Sequence, residues 1–444
     1  MAWREMTLTG WGRVHQARSR AARPERLSEL QRALKGAEGT VAGVGAGRSY
    51  GDVGLNGGGS ALLTTRLDRF LSFDEATGEL VAEPGVTWRD LLDTFLPRGY
   101  LAPVTPGTAF ATLGGGVAND VHGKNQETAG SLGDHVNWLD ILTASGEVVR
   151  ASRDQNADMF RATVGGIGLT GIVTGISLTM ARVPGNTALV HSRRLPDLDS
   201  TLAALMEPRP GQPYTVAWVD ALAGGRELGR GILEAAGPAD GFVPEKQAKS
   251  LAMPLDLPGF VLGKAGVRAF NALYWRRVSA AGSEARVPWR KFLYPLDAIL
   301  HWNRMYGRQG FHQFQCVVPH AGGPYAIRRL LEAFGRAGRG SFLAVLKAMG
   351  RPGPGDLSFA MPGLTLAVDI PNRPGVEELL RELEHITLDA GGRVYLAKDS
   401  ALTPDAFRAM YPDLPRFRET LRRWDPEGRF ETDLARRLRI REGA

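Results

Sequence analysis

Between residues 40 and 185 the apolar positions fall in runs of four or five separated by glycine-rich turns, a spacing that suits short strands. Such runs occupy Val41–Val44, 61–64, Phe70–Phe73 and 79–83, the last closed by Pro84 and Gly85. One segment breaks the pattern: apolar residues at 88, 91, 92, 95 and 96 make a helical stripe, with Thr87 as its cap and Pro97 as its stop. Val136–Leu142 and 147–150, joined through Ser145 and Gly146, predict a hairpin. A short helix over 158–163 and a strand over 171–180 complete this half.

After Pro184 and Gly185 the rhythm changes. Strands are predicted at Tyr214–Val219, 311–318 and 364–369, and amphipathic helices at 323–336 and 375–390. The second helix puts Val376, Leu379, Leu380, Leu383 and Ile386 on one face. The fold class is therefore α+β: a first domain of many short elements over 1–185, a second over 186–390 with an antiparallel sheet backed by helices, and an Arg-rich helical segment over 391–444. Residues 246–277 stand apart, with six basic residues and one acid among many apolar ones. That mixture suits contact with an anionic lipid surface, and it suits a loop folded over a core equally well.

Composition narrows the classes. A chain of 444 residues, 43% of them hydrophobic, buries more than one core. The single cysteine, Cys316, excludes an internal disulfide, lends nothing to a Cys-based metal site, and sits in an apolar run that predicts burial. The first residues lack the basic-then-apolar order of a secretory signal, and no window reaches the roughly 18 apolar residues of a spanning helix. A cytoplasmic protein is expected. The net charge of +7 is scattered rather than gathered, and with no nucleic-acid-binding signature it points away from nucleic acid.

Candidate chemistry lies in three glycine clusters. The first runs Gly43, Val44, Gly45, Ala46, Gly47, Arg48, Ser49, Tyr50, Gly51, Asp52, Val53; the second includes Gly107 and then Thr112, Leu113, Gly114, Gly115 through Asn119, Asp120, Val121, His122 and Lys124; the third spans 163–172 and ends at Ile172. A dinucleotide fingerprint fails, because the sixth position from Gly43 is Arg48 and no helical run follows. A phosphate loop of the Walker type fails too, since Gly123 and Lys124 are followed by Asn125 and preceded by Ala118 where glycine is needed. Dense glycine with Arg, Ser and Thr still points to main-chain amides aimed at a phosphate.

The segments Gly47-Arg-Ser-Tyr-Gly-Asp52, Pro106-Gly-Thr108, Asp120-Val-His-Gly-Lys-Asn125, Gln313-Phe-Gln315 and Tyr395-Leu-Ala-Lys-Asp-Ser400 together resemble flavoproteins of the vanillyl-alcohol oxidase type. Within that family the likeness is to the branch that oxidises the 2′-hydroxyl of a polyprenylphosphoryl ribose, the first half of an epimerisation that makes a cell-wall arabinose donor. The resemblance implies an FAD-binding domain of two small subdomains, a substrate domain over the flavin, a C-terminal segment returning to the FAD domain, and a lid over 246–277. It implies FAD held by the residues of the first two clusters together with Ile172 and Tyr395. Arg48 stands where related sugar oxidases often carry a flavin-linked histidine, so the FAD is expected to be non-covalent. It also implies an NADH-dependent short-chain reductase as partner, and a peripheral position on the inner membrane.

Site roles follow in part from the residues themselves. Lys398, after an apolar strand, suits a group that holds the substrate phosphate or hydroxyl or takes its proton. Gln313 and Gln315 share one face of a strand and suit a polyhydroxyl ring, although an exposed sheet face accounts for them as well. By resemblance His122 lies beside the flavin ring as a positioning and electrostatic group, Tyr395 at the flavin, and Tyr294 and Lys124 at the substrate. Ala367 stands where mycobacterial members carry a cysteine, so covalent nitroaromatic inhibitors that capture that thiol should not attach. A soluble sugar, alditol or aldonolactone oxidase on the same scaffold is the alternative reading.

Overall fold

The short apolar runs of the first 180 residues build two small sheets. The computed structural model describes residues 2–245 and 251–442. Arg4–Thr9, Gln16–Ala22, Ser60–Leu63 and Val41–Val44 form a four-stranded sheet in that spatial order. Phe70–Phe73, Glu79–Ala82, Ile172–Thr179, Val136–Leu142 and Val148–Ser152 form a five-stranded antiparallel one. The expected helix forms as Trp88–Phe95 and opens with a capping box in which Thr87 and Asp90 satisfy each other's amides. Pro97 does not stop the chain. It sits in the first turn of a 3₁₀ segment, Leu96–Arg98, where its missing N–H costs nothing, and Gly99 at φ 79° ends the run.

The second half is organised on one eight-stranded sheet in which every pair is antiparallel. Its order is Ser283–Pro288, Thr187–Leu195, Gly231–Ala239, Tyr214–Val219, Ala344–Met349, Gly363–Pro371, Phe311–Pro319, Arg393–Val394. Helices Leu198–Met206, Gly323–Ala337 and Val376–Asp389 cover one face, burying Leu202, Phe334 and Leu383 against Leu346, Leu366 and Cys316. Because strand side chains alternate, Phe314, Cys316 and Val318 enter this core while Gln313 and Gln315 face the opposite side. The short strand Arg393–Val394 carries the sheet past residue 390.

From there the chain turns back. Phe430 bridges to Val41, Trp424 donates to Asp158 at 3.2 Å, and Arg437 donates to Asp52 and to Asp399 at 2.8 Å. Of the segment 246–277, residues 246–250 lie outside the described ones. Leu251–Ala252 pairs with Ile299–Leu300, and a helix spans Lys264–Arg276. Its inner side is anchored by Asn271 donating to Asp220 at 2.7 Å and Trp275 donating to the Leu195 carbonyl at 3.0 Å; Leu251, Leu255 and Leu273 remain exposed.

Candidate active site

A cavity of about 1230 Å³ separates the glycine loops from the face of the large sheet opposite those three helices. One wall is the first glycine loop. Among the described residues the amides of Ala46, Gly47, Arg48 and Ser49 donate to no protein acceptor, whereas Tyr50 N–H donates to the Ala397 carbonyl at 3.0 Å. Gly47 holds φ at 62°, and a Cβ there would meet only open cavity. Gly51 is required for another reason: a Cβ on it would lie 1.8 Å from the Asp399 carbonyl oxygen. The Arg48 guanidinium lies over the Trp11 ring at 4.4 Å, with its Nε buried and unpartnered. Asp297 adds a carboxylate to this wall and accepts from Thr108 Oγ1 at 2.8 Å and Ala109 N–H at 2.6 Å.

The sheet face opposite is polar in a graded way. Register places Gln313 beside Asp369, Gln315 beside Ala367, Val345 beside Ala367 and Lys347 beside Thr365. Gln313 Nε2 donates to Asp369 at 2.5 Å, and Tyr306 OH donates to the same carboxylate at 3.0 Å. Gln315 Nε2 donates to His122 Nε2 at 3.0 Å, which leaves the His122 proton on Nδ1, buried and without a partner. Phe359 and Tyr395 flank the imidazole, and the Tyr395 hydroxyl donates to the Asn119 carbonyl at 2.9 Å.

Burial governs the charges. It holds His122 well below the usual imidazole range, helped by Lys347 and Lys398, so the ring stays neutral. It pushes the Lys398 ammonium down to about 8, with Asp369 opposing, and the Asp369 carboxyl up to about 7. Lys398 has no hydrogen-bond acceptor among the described residues, and its nitrogen lies 3.9 Å from the Tyr50 ring centroid. The site thus combines unpaired amides suited to an anion, amide side chains suited to hydroxyls, and an amine able to take a proton.

A family model described as FAD binding domain matches residues 18–152, and one described as D-arabinono-1,4-lactone oxidase matches residues 367–438. The decaprenylphosphoryl-beta-D-ribose oxidase of Mycolicibacterium smegmatis is 34% identical over 98% of this chain and 97% of that protein. The chain belongs to the decaprenylphosphoryl-β-D-ribose oxidase family. An uncharacterized protein of Streptomyces coelicolor is 35% identical over 80% of this chain and its own full length, whereas a D-lactate dehydrogenase of Anaerostipes hadrus matches at 27% over only 33% of this chain.

This member of the family is an FAD-dependent oxidoreductase. The residues fit the cofactor: four unpaired amides in the first loop, an unpartnered Arg48 Nε, and unpartnered polar atoms on Asn119 and His122 all line one cavity. Substituting Gly51→Ala drives a methyl into the Asp399 carbonyl and displaces this loop. We expect a cost of about 1–3 kcal/mol in stability and a lower ratio of bound flavin to protein after gel filtration, read from the visible absorbance.

Most residues expected from the sequence converge on the cavity. Gly43 to Gly51, Val53, Gly107, Thr112, Gly114, Gly115, Asn119, Val121, His122, Lys124, Ile172, Gln313, Gln315, Tyr395 and Lys398 line it. Four do not. Asp52 is bound to Arg437, and Leu113 is core. Asp120 accepts from Gly133 N–H and Ser358 Oγ, bracing the loop beneath His122. Tyr294 packs with Tyr214, Trp289 and Phe292 in the core instead of lining the cavity. The amides of Leu113, Gly114 and Gly115 are also spent within the protein, on Val86, Pro84 and Thr112. Sequence reasoning missed Lys347, Asp369 and Asp297. A single lysine at 347 in the apolar run 344–349 was the available signal.

Proposed function

We propose that the protein oxidises the 2′-hydroxyl of a polyprenylphosphoryl-β-D-ribose to the 2′-keto sugar. The observation that carries this reading is the row Gln313, Gln315 and Lys398 on one wall of a cavity whose other wall is the unpaired amide loop. When bound, FAD supplies the acceptor for the hydride that leaves C2′. Gln313 and Gln315 orient the ribose hydroxyls, and Lys398 Nζ takes the hydroxyl proton as the C–O bond becomes C=O. Neutral His122, fixed by Gln315, presents its Nδ1 proton as a positioning donor. With Arg48 in the first loop and no histidine between residues 43 and 53, the FAD is held without a covalent bond.

The apolar cavity wall formed by Leu257, Leu262, Phe270 and Met305 suits a polyprenyl chain. Exposed Leu251, Leu255 and Leu273, near Lys264, Arg268 and Arg276, suit peripheral contact with an anionic bilayer. No helix among the described residues is long and apolar enough to cross a membrane. The place we assign is a peripheral one on the inner membrane, with an NADH-dependent short-chain reductase completing the epimerisation.

The match of residues 367–438 favours one second reading, a soluble sugar or aldonolactone oxidase. Anaerobic titration separates the two. Polyprenylphosphoryl ribose is expected to bleach the flavin at stoichiometric addition, while free ribose, alditols and aldonolactones leave it yellow. Bleaching by the free sugars alone would reverse the assignment.

A further inference from the structure

Along the strand that carries Val345, the cavity changes character from end to end. Leu343 lies with Trp302, Met305 and Leu262 in the apolar wall beneath the Lys264–Arg276 helix. Lys347, four residues further and so about 13 Å away along the strand, donates to the Gly123 carbonyl at 3.1 Å. Next in sequence to Gly123, Lys124 donates to the Phe292 carbonyl, with its nitrogen 4.0 Å from the Phe292 ring centroid. The carboxylate facing this end is Glu234, one strand beyond Val216, and it is already paired with Arg277 at 2.7 Å. Two ammonium groups therefore line the same end of the cavity with backbone carbonyls as their protein acceptors, although burying a cation without an anion is costly.

Resting on the reading of this cavity as a sugar site, we propose that Lys124 and Lys347 form an oxyanion subsite at the end of the sugar remote from the lipid. It would take a phosphate or carboxylate carried on the far side of the ring. The lipid-side phosphate is not its ligand, because an apolar chain on the Leu343 wall leaves that phosphate on the near side of Gln313 and Gln315. Burial and the neighbouring lysines bring Lys347 down to about 7, so an arriving oxyanion would also draw a proton onto it.

The test uses the full-length, FAD-loaded protein and the visible flavin difference spectrum as a binding signal independent of turnover. Ribose 5-phosphate is expected to bind at least tenfold more tightly than ribose, with inorganic phosphate competing. Lys347→Met should erase that advantage and Lys347→Arg should keep most of it, both proteins remaining yellow. Equal affinities for ribose and ribose 5-phosphate in the parent, or an unchanged ratio in Lys347→Met, would overturn the subsite. So would a Lys347 dependence shown by farnesyl phosphate and not by ribose 5-phosphate, since that places the lipid-side phosphate here. Failure of lipid-linked ribose to bleach the flavin would count against the proposed substrate and leave this binding comparison readable.

Discussion

Lys398→Ala is expected to slow flavin bleaching by lipid-linked ribose by about 10²–10⁴-fold, the usual range for losing a proton acceptor, while the protein stays yellow. The amine lines the cavity, rests against the Tyr50 ring and has no hydrogen-bond partner among the described residues, so its unshared pair is available to a substrate hydroxyl. Its position near 8 sets the pH dependence. The proton-accepting form is the neutral amine, so the parent's bleaching rate should climb as pH rises through about 8 and fall away below it. In Lys398→Ala that limb should vanish. A variant that bleaches at the parental rate, or keeps the same limb, would remove Lys398 from proton transfer.

The second large effect concerns stability. Arg437 bonds both oxygens of Asp52 at 2.8 Å and one oxygen of Asp399 at 2.8 Å; both carboxylates are nearly inaccessible to water. Arg437→Met keeps much of the side-chain length and leaves two buried carboxylates facing each other unpaired. Breaking a buried pair from one side costs about 3–5 kcal/mol. The loss should also reach the cofactor, because Asp52 follows the unpaired amides of the first loop and Asp399 follows Lys398. Thermal unfolding followed by tryptophan and flavin fluorescence should show a lower midpoint with earlier flavin release. The double variant Arg437→Met, Asp52→Asn should recover part of it. An unchanged midpoint in the single variant would mean that solvent satisfies those carboxylates.

Much of this architecture was legible from local pattern. The strands Val41–Val44, Phe70–Phe73 and Tyr214–Val219 lie where alternation and turn residues put them, as does the Thr87 cap. Gln313 and Gln315 were readable because polar residues two apart inside an apolar run must share a face. The glycine clusters announced a phosphate cradle without saying which glycines serve it. Gly47 faces open cavity, Gly51 makes room for a carbonyl from residue 399, and Gly114 has its amide spent on Pro84. Lys347 was passed over for a related reason: a lysine in a strand reads as a solvent-exposed side chain until the strand is known to lie inside a sheet beneath loops from another part of the chain.

The sequence alone determined the period of each element, the turn and cap chemistry and the family-defining motifs, since these depend on residues within a few positions of one another. Tertiary structure alone decided which amides stay unpaired, which carboxylates are neutralised and which lysines are stripped of water. The physical reason is range: a hydrogen-bond partner or a burial cost is set by whatever packs against a group, and here Ala397 meets Tyr50, Arg437 meets Asp52 and Gly123 meets Lys347 across hundreds of residues.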